Sequence, residues 1–326
     1  MREEGAAQRR PRGARGIRSA VNVLVVAALT ACSLQPPRAR SEDASRVWDV
    51  RAGRFVSEPA LVADLVDARY RLLGEVHDNP AHHAIRARLI LEIGARGVHP
   101  AVVFEQFDLD HDAALQAAQA AASDVERLAD AGRLDRKGWR WPLHKPIVEA
   151  ALALHLPVRA GNLSRAELRA RATTGGADRA NAAWHARLIA ARWSDAQARA
   201  LRADIVESHC GMLPEAVVPR LVLAQRERDA AMAQALVDDA TRDGAILIAG
   251  NGHVRADLGV PVYLHAPGLP EADARSLSVG LVEVDPDDER ASDFPRQIVA
   301  RHPGFDYLWL TRPVARDDPC AAIHMP

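Results

Sequence analysis

The segment LLGEVHDNPAHH, residues 72–83, sets Glu75, His77, Asp78, His82 and His83 directly behind a short apolar run. An imidazole with a carboxylate two residues away can move protons near neutral pH or hold a divalent metal. Taken alone, GExH reads more readily as a polar helix start, with Asp78 or Asn79 as the cap and Pro80 in the first turn. Three further segments favour the chemical reading. Glu105-Gln106 follows the apolar run 101–104, Gly161-Asn162 follows 156–160, and Gly250-Asn251-Gly252-His253 follows 245–249. Each polar group stands at the carboxyl end of an apolar run. The set Glu75, His77, Glu105 and His253 would serve as general base and orienting carboxylates in a hydrolase, or His77 and His253 would hold a metal.

Such a set works only if the chain brings it together. The runs 70–74, 101–104, 156–160, 245–249, 262–264, 280–284 and 307–310 read as strands, and 80–95, 109–130, 145–155, 180–192, 195–208 and 214–241 as helices. This alternation predicts an α/β fold, a largely parallel sheet flanked by helices. The carboxyl ends of parallel strands share one edge, where ligands bind in open α/β sheets. Residues 162–243 exceed what a crossover needs and read as a helical insertion, or cap subdomain.

Other residues are candidates for the walls of the pocket. Gln225, Arg228, Asp229 and Met232 fall on one face of a helix, with charge where a plain core helix is apolar. Asn162, Arg228, Asp229 and Asn251 therefore join Glu75, His77, Glu105 and His253 as expected ligand-binding residues. Trp139, Trp141 and His144 precede a helix, where they would either stack on or ligate a flat ligand or fill a hinge. His209, Cys210 and Met212 lie together in ESHCGM, yet neither CxxC nor HExxH occurs, which argues against a structural zinc. No GxSxG, P-loop or GxGxxG is present, which disfavours a serine hydrolase, an NTPase and a Rossmann dehydrogenase.

Over 326 residues the formal net charge is −1, so nothing in the charge balance calls for a nucleic-acid partner. Lysine occurs only at Lys137 and Lys145, which makes arginine nearly the whole basic complement. Arg9, Arg10, Arg12, Arg15 and Arg18 precede AVNVLVVAAL, a run too short to span a bilayer but suited to a secretory signal. Leu29-Thr30-Ala31-Cys32 ends it like a bacterial lipobox. We therefore expect a signal peptide over 1–31, a lipidated Cys32, a tether to residue 45, a folded domain over 46–315 and a tail over 316–326. Acyl chains on Cys32 would anchor the protein to a membrane, and Ser33 favours the periplasmic face of the outer membrane. In that oxidising compartment Cys210 and Cys320 are able to pair, although their spacing does not require it.

The segments GEVHDNPAHH, VVFEQFD, RWPLHKPIVEAAL, PVRAGNLS, ESHCGMLP, QRERDAAMA, ILIAGNGHVRADLGVP and DYLWLT occur in order. Together they resemble the ChaN-like lipoproteins of the haem-binding-uptake and Tiki group over nearly all of 46–313. The resemblance implies a parallel-sheet domain that binds haem or handles iron at the envelope, with a homodimer and haem at its interface as one arrangement. The wider group includes metal-dependent peptidases with a GxxH motif, matched by Gly74 to His77, and esterase-like hydrolases that use His and Glu. One departure is that this family often has Tyr where His144 stands. That leaves His144, His209 and Met212 as haem-ligand candidates. The expectation is thus a haem- or iron-binding envelope lipoprotein, with a metal-dependent or His-based hydrolase as the alternative.

Overall fold

Runs such as Ala245–Ile248 and Ala101–Phe104 carry no polar face, so they need apolar cover on both sides. The computed structural model supplies it, describing residues 46–122, 124–173, 184–285, 287, 293–318 and 320–321. The expected signal peptide, Cys32 and tether lie outside the described residues. The elements run β1 (Arg46–Asp49), β2 (Arg54–Val56), α1 (Glu58–Asp67), β3 (Tyr70–Leu73), α2 (Pro80–Ala95), β4 (Ala101–Asp108), α3 (Asp112–Ala120), α4 (Val125–Ala131), α5 (Lys145–Ala153) and β5 (Val158–Asn162). They continue through α6 (Arg165–Thr173), α7 (His185–Ala190), α8 (Asp195–Glu207), α9 (Val218–Asp238), β6 (Ala245–Ile248), α10 (Asn251–Val254), α11 (Val260–Leu264), β7 (Ser276–Glu283), α12 (Phe294–Arg301) and β8 (Tyr307–Thr311). Among the described residues no helix is long and apolar enough to cross a membrane.

The strands form one sheet in the order β2-β1-β8-β7-β3-β6-β4-β5. From β8 to β5 every pair is parallel, while β1 runs antiparallel to both β2 and β8. Alternate residues feed two cores. Leu73, Phe104, Val158 and Ile248 face the helices α1, α2 and α5, whereas Leu72, Val103 and Leu247 face α9 and α11. The long segment between β5 and β6 thus does more than stand over an edge. Its last helix, α9, lays Ala230, Ala231, Met232 and Ala233 on the sheet. The exposed backbone of the edge strand β5 is covered by side chains: Gln119 bonds Val158 N and Leu156 O, and Asp112 Oδ1 accepts from Ala160 N.

Several sequence expectations need correction. The run 262–264 is not a strand but the end of α11, because a short apolar run has no readable period and Pro261 sits in the helix's first turn. The expected helix over 109–130 is broken into a 3-10 turn, α3 and α4, with Asp124 capping the last. β4 continues past Phe104 to Asp108. Between Phe104 and Asp108 its register against β5 slips, since Phe104 pairs with Ala160 and Asp108 with Asn162. The C-terminal segment folds back across the turn after β3. Arg316 forks onto Asp78 at 2.8 and 3.0 Å and onto Glu283 at 2.6 and 2.7 Å, and Cys320 forms a disulfide with Cys210.

Candidate functional site

Leu73 and Phe104 both pair with Ile248, so the residues just beyond them emerge side by side. The turns are then stitched together, with Asn251 N donating to Glu75 O at 2.9 Å and Gly74 N to Val279 O at 2.8 Å. The extra residues of β4 turn Glu105 into the crevice, a common use of a strand irregularity beside a site. His77, Glu105, Asn162 and Arg228 line a cavity of about 640 Å³ with Trp139 and Arg165. Four segments far apart in sequence therefore meet at the carboxyl edge.

Glu75 is buried and organises one side. Its Oε1 accepts from His77 Nδ1 at 2.7 Å, and its Oε2 takes a close bond from Arg86 Nη2. With Nδ1 donating, the bare lone pair of His77 is on Nε2. The His77 side chain is 50% exposed and opens to the cavity, with its ring 5.1 Å edge-on from Trp139. His83 donates from Nε2 to His77 O at 3.0 Å, which leaves its Nδ1 to accept from Arg86 at 3.0 Å. Burial lowers the His83 pKa to about 4, so it is neutral in that role.

The other side is built on His253. Its Nδ1 donates to Asp229 Oδ1 at 2.6 Å and its Nε2 lies 3.3 Å from Glu105 Oε1. Glu105 Oε2 accepts from Gly250 N at 2.8 Å. Burial works against the imidazolium, but the Glu105 and Asp229 carboxylates outweigh it and raise His253 to about 10. Burial likewise works against the Glu105 anion, and His253, His77 and the Gly250 amide still hold its carboxyl well below the usual range. Burial pushes Asp229 up to about 6 against the pull of His253. The result is a buried cation between two anions.

This arrangement separates the expected site residues. Glu75, His77, Glu105 and His253 do meet, as do Asn162, Arg228 and Asp229 around them. His253 is not available as a metal ligand, because both ring nitrogens are engaged by carboxylates and the ring is charged. Asn251 turns away, its side-chain amide donating to Leu281 O at 2.7 Å and its Oδ1 lying against Gly74. His144 is buried edge-on against His83, 4.3 Å between centroids, rather than in the cavity. Burial lowers its pKa to about 2, and neither ring nitrogen has a protein partner. His209 is exposed and bonds back to Ile205 O at 2.8 Å; neither it nor Met212 lines the cavity. Trp141 points to Glu126, at 3.2 Å, while Trp139 faces the site.

Glu75, His83 and His144 each place one ligand atom within 4.8 Å of the others, a possible metal triad. Arg86, however, bonds both Glu75 and His83 there, so a guanidinium already supplies the positive charge. Sequence reasoning passed over Arg86, and took His83 only as one member of the polar cluster behind the apolar run. The signal was the i, i+3 pair on α2 one turn behind the motif, a charged residue on what becomes the buried side of the helix.

The fold and site define an open α/β protein with a ligand crevice along the carboxyl edge of its parallel strands. The chain belongs to the haem-binding uptake, Tiki superfamily, ChaN family, whose model matches residues 61–264. Among solved structures it is similar to ChaN of Campylobacter jejuni, described as showing cofacial haem binding. That match has 19% identity and a TM-score of 0.62 and covers 81% of this chain and 96% of that one. The type III effector HopBA1 matches with 12% identity and a TM-score of 0.41, covering 77% of this chain and 91% of that one. A search of curated proteins found no match.

Proposed function

We propose that this protein binds haem in the carboxyl-edge crevice, with His77 Nε2 directed at the iron. The observation that carries the reading is the state of His77: half-exposed, held at Nδ1 by buried Glu75, and bare at Nε2 toward a cavity of about 640 Å³. That volume lies within the range of small-molecule and cofactor sites. Fixing one ring nitrogen on a carboxylate orients an imidazole ligand and raises its basicity. Trp139 supplies a flat apolar wall. No tyrosine competes for the iron, since Tyr263 bonds Arg226, Tyr307 bonds Asp64 and Tyr70 is buried in β3. Membership of the haem-binding uptake family and the cofacial haem of the Campylobacter protein support the choice of ligand. Titration of the purified protein with haemin should shift and sharpen the Soret band at micromolar concentration, and His77→Ala should abolish the shift. No shift with the wild type ends this reading.

The Arg-rich leader and LTAC at 29–32 support lipid anchoring through Cys32 at the periplasmic face of the outer membrane. Metabolic labelling with an alkynyl palmitate should tag the wild type and not Cys32→Ala. Equal labelling of the two would exclude that site.

A hydrolase is the second reading, favoured because His77 on Glu75 has the geometry of a general base with its orienting carboxylate. Turnover of ester or peptide probes that vanishes in both His77→Ala and Glu75→Gln supports it. A wild type with no turnover removes it.

A further inference from the structure

The cavity carries a second chemical feature that iron ligation does not use. Arg228 on α9 and Arg165 and Arg169 on α6 line it, and among the described residues none of the three makes an ion pair. Arg71, Arg187 and Arg255, which also face inward, are satisfied, whereas buried Arg86 keeps Nε and Nη1 without a protein partner while its Nη2 holds Glu75. Arg71 bonds the carbonyls of Leu65, Val66 and Asp243, Arg187 bonds Glu271 and Gln234, and Arg255 bonds Asp204 and Asp257. Arg228 is half-buried, and its Nε is shut off from solvent without a protein partner. Of the acids near it, Glu105 already spends both oxygens on His253 and Gly250, Asp229 holds His253, and Asp108, which lines the same cavity, forms no ion pair with it. Buried Asn162 adds a side-chain oxygen without a protein partner in the same cavity. A partly desolvated guanidinium left without an anion is unfavourable, and a ligand carboxylate would relieve it through a two-pronged contact.

We propose that Arg228, flanked by Arg165 and Arg169 and by Asn162, is a carboxylate-recognition subsite that selects ligands bearing acid side arms. The proposal rests on the haem reading, in which those arms are the two propionates. His77 then chooses the metal and Arg228 the periphery, so the two specificities are separable by mutation.

The test compares haemin with haemin dimethyl ester, whose arms are neutral, on the purified full-length protein in one buffer. Wild type should bind haemin at least about tenfold more tightly than the ester, the scale of a hydrogen bond to a charged group. Arg228→Gln should lose most of that preference while keeping the wild-type Soret position, since His77 is untouched. The double variant Arg165→Gln and Arg169→Gln, exposed and harmless to folding, should lose a smaller part. Equal binding of the two porphyrins by wild type, or full preference retained by Arg228→Gln, overturns the subsite and leaves haem binding standing. If haemin itself fails to bind the wild type, the haem reading falls and the subsite with it.

Discussion

Two histidines at this edge are each held by a carboxylate, yet they end in opposite states. His77 gives Nδ1 to Glu75 and keeps Nε2 bare in an open cavity. His253 is closed by Asp229 at one nitrogen and Glu105 at the other, and is charged and buried. The difference lies in where the positive charge sits. On the Glu75 side it is carried by Arg86, which bonds the same carboxylate as the histidine. On the Glu105 side no second cation among the described residues forms an ion pair with Glu105 or Asp229, so the histidine itself carries the charge. One imidazole is then free for chemistry, and the other fixes the walls around it.

The largest expected effect breaks the closed side. His253→Ala leaves Asp229 and Glu105 as buried anions and should lower stability by about 3–5 kcal/mol in urea unfolding. His77→Ala, at a half-exposed position, should leave the unfolding midpoint nearly unchanged while removing haem binding. Equal destabilisation by both variants would erase the contrast between the two histidines.

Next in size is the pH dependence. The folded pKa of His253, about 10, lies above its ordinary value of 6.5, so the stability it contributes is complete below pH 6.5 and is lost as pH rises through 10. His82 and His83 behave in the opposite sense. Burial lowers each from 6.5 to about 4, so their contribution is complete above pH 6.5 and is lost as pH falls through 4, by on the order of a few kcal/mol. Denaturant midpoints measured from pH 3 to 11 should therefore fall on both flanks, and His253→Gln should flatten the alkaline flank.

Smaller again is Glu75→Gln, which releases the charge that orients His77. It should weaken haem binding by about 10–100-fold, the usual scale for the partner behind a metal-binding histidine. An unchanged haemin affinity would show that Glu75 serves packing rather than His77. The smallest change is Gly250→Ala. An added Cβ would stand 2.9 and 3.0 Å from His77 Cε1 and Nε2, and the backbone φ of −64° accepts alanine. The ring should swing aside, giving a several-fold loss of haem affinity at unchanged thermal stability. A larger side chain there, as in Gly250→Val, should deepen the loss.

Much of this site was legible in the chain. Short apolar runs ending in GExH, Glu-Gln, Gly-Asn and GNGH mark strand ends, and the strand-helix alternation puts those ends on one edge whatever the packing details. What stayed hidden was the direction of each side chain. Asn251 looks like Asn162 in sequence, yet one bonds a neighbouring strand and the other lines the cavity. His144, His209 and Met212 are the residue types that bind haem iron, but one is packed behind the site and the other two lie outside it.

Composition and order of residues determined that this chain makes a two-sided parallel sheet with acid and imidazole groups at its carboxyl edge, because periodicity and strand-end position are local properties. Only the tertiary structure decided which imidazole is free. A lone pair is free or spent according to what lies within about 3 Å of it: the partners of His253 come from β4 and α9, brought near by packing, whereas His77 bonds its sequence neighbour Glu75, whose other oxygen is taken by Arg86 of α2.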